Sequence, residues 1–352
     1  HDQMEKLLLS AQVDALGIIW PRLSLDGIIE IARSSGMPWK VGKATWKARL
    51  TNFPEDQIPP LLLAEELEMR QFARGFLGSC FDEQGWPWIE GQDLAKWSPA
   101  QSAELLSIIP FQPRVWELAA SIGSEVERLY WEKTWCHAHK LSAAEVNHVV
   151  AKLNEAQRAF SVLDFLNAAL NANIELETEL IISALERVSV SNEPIEEKPR
   201  DMSMPQYHFS TLYRAVRDRG DAPNDRLVTL EWAIIALLDS LRLHPVRLHR
   251  ALAEDFSLFA DLVSYCYRAR SERDKPKDEP TEFEKTRATR ARKLLKSWVR
   301  PPGLQPDGSI DESKLSAWVR EARLKLSEND RLIFGDIQIG KQNMKVLPEV
   351  LV

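Results

Sequence analysis

The spacing of apolar and polar residues predicts helices along most of the chain. Between residues 142 and 171, apolar side chains recur every three or four positions, which places them on one stripe of a helix. Ser142 followed by Glu145 is the signature of a capping box, so we expect a helix to begin after Ser142. The stripe consists of Val146, Val149, Val150, Leu153, Phe160, Leu163, Leu166 and Leu170.

Shorter segments of the same type occur on both sides of this stretch. Residues 4–23 carry an apolar pattern that predicts a helix. The pair Ser98 and Pro99 predicts the N-cap and first residue of another helix. Pro245 breaks a very apolar helix, and Asp311 caps a last one. Only residues 332–340 resemble a strand, and they fit a loop or a short helix equally well. The apolar residues of the first segment are Leu7, Leu8, Val13, Leu16, Ile18 and Ile19.

The regular alternation of helices and short polar turns predicts an all-α fold. In this fold, antiparallel helix pairs stack as an irregular HEAT- or TPR-like solenoid. Residues 191–206 are poor in apolar residues and rich in charge and proline, which is typical of a linker or disordered loop. We therefore predict an N-terminal helical-repeat region over residues 1–190 and a C-terminal helical region over residues 207–352.

Composition narrows the possible partners and the compartment. The formal net charge of -7 argues against a global attraction to nucleic acid or to anionic membranes. The three cysteines lie far apart without a CxxC pair, so neither a disulfide framework nor a zinc ribbon is expected. No apolar run reaches the ~18 residues that span a bilayer, and the first twenty residues lack the features of a signal peptide. We expect a cytoplasmic protein without a membrane partner, and a chain that is part of a larger protein.

Twelve tryptophans are many for this length. Those beside predicted turns are expected to wedge between helices, with the indole N–H donating to a carbonyl oxygen. They are Trp20, Trp39, Trp86, Trp88 and Trp97.

Two groups of polar residues have the composition of a catalytic or metal site. Cys136, His137 and His139, with Glu132 one turn earlier, offer donor types that zinc accepts. Neighbouring residues at a helix end rarely converge on one metal ion, which favours an exposed helix end whose histidines cap carbonyl groups. His249 and its neighbours His244 and Asp255 lack an accompanying nucleophile.

The chain contains no phosphate-binding, dinucleotide-binding or HExxH motif. We therefore expect no enzyme activity and no cofactor. An enzyme whose site is assembled from distant residues stays open as an alternative.

The segment 285–300 combines basic residues with an apolar strip. Such a helix can lie along phosphates, and Trp298 could stack on a base. The alternative is a surface helix that pairs with the acidic segment before it. The net negative charge of the whole chain favours this alternative. The residues that would contact nucleic acid are Arg287, Arg290, Arg292, Lys293, Lys296 and Trp298.

Four segments of the sequence resemble the helical-repeat C-terminal regions of large uncharacterised bacterial multidomain proteins. They are FARGF (72–76), EVERLYWEKTW (125–135), LHRALAEDFSLFADLVSYCYR (248–268) and WVRPPGLQPDGSIDESKLSAWVREAR (298–323). The resemblance implies a sensor or scaffold region behind an N-terminal effector or ATPase module, in some cases in defence against phage. It carries no active-site residue. From the sequence we predict a protein-binding scaffold or sensor, with nucleic-acid binding through the basic helix as the second hypothesis.

Overall fold

The computed structural model describes residues 2–190, 205–217, 219–221, 224–266, 281–298, 302–305 and 307–327. Within these residues the chain forms α-helices and short 3-10 helices and no strand, apart from an isolated antiparallel bridge between Leu304 and Ile310. The predicted all-α class is confirmed. Most of the predicted linker (191–204) and the strand-like stretch 332–340 lie outside the described residues. No helix in the described part of the chain is both long and apolar enough to cross a membrane.

The chain divides between Ile174 and Glu175 into two compact units. The helices of the first unit are α1 (Asp2–Ile19), α2 (Leu25–Ser34), α3 (Pro38–Lys47), α4 (Leu67–Gln84), α5 (Trp86–Glu90), α6 (Pro99–Ile108), α7 (Pro113–Ile122), α8 (Ser124–Lys133), α9 (Ala143–Glu155) and α10 (Ala159–Asn171). Its 3-10 helices are Trp20–Arg22, Glu55–Gln57, Pro59–Leu63 and Leu94–Lys96. The helices of the second unit are α11 (Thr178–Val190), α12 (Pro205–Arg217), α13 (Asn224–Ala233), α14 (Ile235–Ser240), α15 (Val246–Glu254), α16 (Phe256–Cys266), α17 (Glu282–Ser297) and α18 (Glu312–Ser327).

The division falls earlier than the boundary expected from composition. The sequence assigned residues up to 190 to the first region, but α11 packs against α12 and α13. At the start of α11, the Thr178 hydroxyl donates to the Asp221 carboxylate over 2.8 Å, and Arg219 donates to the Leu176 carbonyl over 2.9 Å. A change of composition identifies a surface segment between helices, and it does not identify which core the preceding helix joins.

Local capping signals are confirmed at several helix starts. Ser142 and Glu145 form the expected capping box of α9, and Ser98 forms one with Gln101 at α6. The Asp311 carboxylate accepts hydrogen bonds from backbone N–H groups at the start of α18. These bonds satisfy N–H groups that have no partner inside the helix.

The long apolar stripe of residues 146–170 is divided between two helices. α9 ends at Glu155, Gln157 takes a positive φ of 57°, and α10 begins at Ala159. Arg158 in this turn donates to the carbonyl oxygens of Trp131 and Thr134, over 2.9 and 2.8 Å. The turn thereby also satisfies carbonyl groups at the C-terminal end of α8.

The closest helix packing of the first unit is between α3 and α4. A Cβ atom on Gly75 would lie 2.0 Å from the carbonyl oxygen of Trp39, and one on Gly42 would lie 2.1 Å from that of Phe72. Only glycine permits backbones to approach this closely. α3 is therefore held in a fixed position on α4, and α1 packs on α3.

Candidate docking groove

An open groove of about 460 Å³ lies in the first unit between α1 and α3. α1 supplies one wall, and the residues just before and within the first turns of α3 supply the other. Its lining residues are Lys6, Leu8, Leu9, Gln12, Met37, Trp39, Lys40 and Lys43. The floor is therefore apolar, and the charged groups that line the groove are lysines.

The apolar side chains around the groove are unusually exposed. Leu8 is 53% exposed, Met37 50% and Trp39 46%. Met4 and Leu7, on the same helix as Leu8, are also exposed. Scattered apolar residues on a surface are normal, whereas a contiguous patch of large ones marks an interaction surface.

The first helix forms as the sequence predicts. Much of its apolar surface is nevertheless uncovered: Leu16 is buried, while Leu7, Leu8 and Ile18 are exposed. Its packing against α3 covers only part of its apolar surface, which leaves the groove open.

Trp39 is held at the start of a rigid helix. Pro38 occupies the first turn of α3, where its missing N–H costs no hydrogen bond. Val41, Ala44 and Thr45, on the opposite face of α3, are buried, so Trp39 stays on the outer side. The expectation that Trp39 wedges between helices was wrong, whereas Trp20 does donate its indole N–H to the Thr51 carbonyl over 2.9 Å.

The groove has a local positive charge on an acidic protein. Lys6, Lys40 and Lys43 line it, and no carboxylate lies among its described lining residues. Lys40 Nζ lies 5.4 Å from the centre of the Trp39 ring, which is a cation–π distance. None of the three ammonium groups forms an ion pair with a described carboxylate. A negatively charged partner would therefore meet unneutralised lysines.

A second pocket, of about 450 Å³, lies between α8 and α9 and has a different electrostatic character. Its charged lining residues are already paired with one another or with a neighbour. Lys152 lies 3.0 Å from Glu127 and 3.1 Å from Glu155, and Arg128 lies 2.7 Å from Glu125. Its three carboxylates and two cations are all engaged in ion pairs, so this pocket lacks the unpaired charge of a single sign that distinguishes the lysine groove.

The structure separates the residues predicted to contact nucleic acid. Trp298 is buried, with its ring centre 5.4 Å from that of Phe259 and 6.0 Å from that of Trp318. It belongs to the core of the second unit, so the expectation that it could stack on a base is corrected: stacking would require opening that core.

The basic residues of α17 have different surroundings. The Arg287 guanidinium lies 4.0 Å from the centre of the Tyr265 ring, and Lys293 forms a 3.0 Å ion pair with Asp239. Arg290 is half-buried, whereas Arg292 and Lys296 are exposed. Arg292 and Lys296 are four residues apart and therefore share a helix face.

The cysteine and histidine cluster does not assemble a metal site. His137 packs edge-on against Phe111, and burial together with the neighbouring His139 lowers the pKa of His137. Glu132 forms an ion pair with Arg128. In the part of the chain that the structure describes, no group of three or more His, Cys, Asp or Glu side chains could hold a metal ion.

The second predicted group of polar residues, His244, His249 and Asp255, does not form a catalytic arrangement either. His249 is buried with its Nε2 atom 3.4 Å from the Ser297 hydroxyl. Asp255 instead accepts a hydrogen bond from the N–H of Ser257, over 2.8 Å, at the start of α16. The structure therefore assigns Asp255 to helix capping and gives it no role as the orienter of a catalytic histidine.

Sequence reasoning missed the groove because it treated every apolar stripe as core. A usable signal was present in the chain. Trp39 is followed by Lys40 and Lys43, which lie on the same side of the predicted short helix as Trp39. A large apolar side chain is thus accompanied by two positive charges. Tryptophan is among the side chains that most often act as interface hot spots.

Comparison with known proteins adds no further constraint. No protein-family model, no curated protein sequence and no solved structure matches this chain significantly. The resemblance to helical-repeat regions of large bacterial proteins stays a prediction.

Proposed function

We propose that this chain is a non-catalytic protein-interaction scaffold or sensor region, and that the lysine-rimmed groove between α1 and α3 is its docking surface. The observation that supports this proposal is the combination of an exposed apolar floor with three ammonium groups that no described carboxylate pairs with. When a partner covers the exposed side chains of Leu8, Met37 and Trp39, the complex is stabilised by ~25 cal/mol for each Å² of apolar surface that is removed from water.

The chemistry of the groove favours an acidic amphipathic helix as its partner. Leucine-sized side chains on one face of such a helix would fill the apolar floor, in the manner of other helix-in-groove complexes. Carboxylates on the flanking positions would meet Lys6, Lys40 and Lys43. A second copy of the chain fits less well, because two identical grooves facing each other would bring like charges together.

Trp39 is the expected energetic centre of the interface. It is large and half-exposed, and it stands on a helix that Gly42 and Gly75 lock against α4. Binding to a fixed surface avoids the entropic cost of ordering it. Tryptophan is among the residues that most often dominate binding energy.

The predicted stacking of helix pairs is retained as part of this proposal. In the first unit α1 contacts α3, α2 contacts α4, α4 contacts α6, and α6 contacts α8. In the second unit α11 contacts α13, and α13 contacts α15. Contacts between each helix and the second one after it are typical of two-layered helical repeats and support a solenoid-like arrangement. The concave binding surface expected of a solenoid stays a prediction.

A designed peptide tests the docking groove directly. The peptide is helical, with leucines at positions i, i+3, i+4 and i+7 and glutamates beside them, and its binding is followed by fluorescence anisotropy. Wild-type protein is expected to bind it more weakly as salt rises. Replacing Trp39→Ala should weaken binding about 30-fold, which corresponds to ~2 kcal/mol at a hot spot.

Two controls make this experiment specific. Trp135 is also exposed but lies outside the groove, so Trp135→Ala should leave the affinity unchanged. A peptide with lysines in place of the glutamates should bind poorly. Equal binding of both peptides, or equal effects of both tryptophan variants, would refute the proposal. Self-association that Trp39→Ala abolishes would identify a second copy as the occupant instead.

Nucleic-acid binding is kept as the second hypothesis because Arg292 and Lys296 are exposed on one face of α17. It requires affinity for duplex or single-stranded DNA or RNA that falls steeply with salt. Replacing Arg292→Glu and Lys296→Glu together should then abolish binding. Salt-sensitive binding with this behaviour, in the absence of peptide binding, would favour the second hypothesis over the docking groove.

A further inference from the structure

A third pocket of the first unit, independent of the lysine groove, has the opposite charge. Its volume is about 450 Å³, which lies within the range of small-ligand sites. The 3-10 helices Glu55–Gln57 and Pro59–Leu63 form one side, and α4, α5 and the segment before α6 form the other. The lining residues are Glu55, Asp56, Pro59, Pro60, Phe76, Leu77, Cys80, Trp88, Gln92, Lys96, Trp97 and Gln101.

The floor of this pocket is apolar and well packed. Phe76, Leu77 and Cys80 on α4 are buried, and the Phe76 ring contacts those of Phe53 and Trp46, with ring centres 5.4 and 5.5 Å apart. Burial raises the pKa of the Cys80 thiol well above its usual range, so Cys80 stays neutral and contributes to the apolar floor. The floor offers dispersion contacts without charge.

The walls carry two half-buried indole rings. Trp88 lies on the short helix α5, and Trp97 directly precedes the Ser98 cap of α6. Gly85, with a φ of 65°, forms the tight turn from α4 into α5 and thereby places Trp88 beside α4. Both residues line the pocket, and indole is the aromatic side-chain group that attracts cations most strongly.

The charge at the rim is negative and uncompensated. Glu55 and Asp56 are exposed, and neither carboxylate forms an ion pair with a described side chain. Lys96, which carries the positive charge among the lining residues, pairs with Asp93 over 2.8 Å. A cation entering the pocket would therefore meet two carboxylates together with two aromatic rings.

We propose that this pocket binds an organic cation with an apolar stem, such as a guanidinium or alkylammonium group. The rings of Trp88 and Trp97 would contact the cation and its stem, and Glu55 and Asp56 would neutralise its charge. The cation is either a basic side chain of a protein or a free small amine, since both present the same group. This site requires no occupant in the lysine-rimmed groove.

Fluorine NMR of protein labelled with fluorotryptophan tests the site. Resonances of Trp88 and Trp97 are assigned with the variants Trp88→Phe and Trp97→Phe, and N-acetyl-arginine methylamide is titrated as the probe. Both resonances are expected to shift and saturate. The citrulline analogue has the same shape without the charge, so it should bind at least about 10-fold more weakly, since both cation–π and ionic terms are lost.

Exposed carboxylates permit a test that does not endanger the fold. The double variant Glu55→Gln and Asp56→Asn should weaken binding of the arginine probe about 10-fold. The matched double variant Asp26→Asn and Glu117→Gln alters two exposed carboxylates outside the pocket and should change nothing. Unshifted Trp88 and Trp97 resonances, equal citrulline binding, or an unaffected double variant would each overturn the proposal.

Two further probes distinguish the source of the cation. A capped Gly-Gly-Arg-Gly-Gly peptide that binds as tightly as the arginine probe indicates a protein side chain. n-Butylammonium that binds while the peptide does not indicates a free small amine. Because Trp39→Ala leaves this pocket intact, failure of the lysine groove to bind its peptide and failure of this pocket are separate results.

Discussion

The hydroxyl group of Tyr213 donates a hydrogen bond of 2.6 Å to the carboxylate of Glu231, and both side chains are fully buried. The same carboxylate accepts bonds from the backbone N–H groups of Arg247 and Leu248, over 3.2 and 2.7 Å. These are residues of the first turn of α15, whose own N-cap residue Pro245 provides no side-chain hydrogen bond. A carboxylate from α13 therefore caps a helix that begins 15 residues after it in the chain.

Removing this carboxylate is expected to destabilise the second unit strongly. Glu231→Leu leaves two backbone N–H groups of α15 without their acceptor and leaves the Tyr213 hydroxyl only its longer, 3.4 Å hydrogen bond to the His244 carbonyl, which should lower the free energy of unfolding by about 3 to 5 kcal/mol. Tyr213→Phe removes one bond and should cost about 1 to 2 kcal/mol. Urea denaturation followed by far-UV circular dichroism measures both. Asp225→Asn, on the exposed side of α13, is the control; if Glu231→Leu were equally harmless, the capping role would be wrong.

Acid should destabilise the second unit through His249. Burial lowers the pKa of His249 to about 4, from an ordinary value of 6.5. The unfolded chain therefore binds a proton at a pH where the folded chain does not, and stability is lost as the pH falls below 6.5. Between about pH 7.5 and pH 5 the loss is ~2 kcal/mol.

The difference in urea midpoint between these two pH values measures this contribution. His249→Gln should remove this part of the pH dependence, although it lowers stability at both values. His148→Gln alters an exposed imidazole of the first unit and should keep the wild-type dependence. An unchanged pH dependence in His249→Gln would contradict the assignment.

Gly75 should not tolerate alanine. A Cβ atom there would meet the backbone of Trp39 at 2.0 Å, so α3 and α4 must separate. We expect a loss of about 2 kcal/mol or more in the unfolding free energy, measured by thermal or urea denaturation. Gly17→Ala, in α1, meets no atom within 4 Å and should stabilise that helix by ~0.5 to 1 kcal/mol. The expected effects thus differ in sign, and two equal results would contradict the packing argument.

The Cys80 thiol should react slowly with iodoacetamide. It is 2% exposed, and burial raises its pKa, so little thiolate is present at neutral pH. Peptide mass spectrometry should show alkylation at least about 100-fold slower in the native protein than in the urea-denatured chain. Rapid alkylation of the native protein would mean that the floor of the pocket with Glu55 and Asp56 at its rim opens readily.

The sequence alone determined features that depend on residues within one or two helical turns. The N-cap at Ser98, the capping box at Ser142 and the start of α15 after Pro245 could all be predicted. Each depends on backbone torsions and hydrogen bonds between residues only a few positions apart. The all-α class followed from the same signals, because helical periodicity is itself a local property.

Tertiary packing alone decided which apolar faces are covered. Leu8 and Trp39 have the same apolar character as buried Leu16 and Trp298, but only the positions of other helices leave the first pair exposed and bury the second. The cap that Glu231 provides for α15 likewise depends on α13 lying beside it. Burial and charge pairing depend on neighbours that are distant in the sequence. Periodicity therefore shows that a residue can be buried, and only the fold determines whether it is.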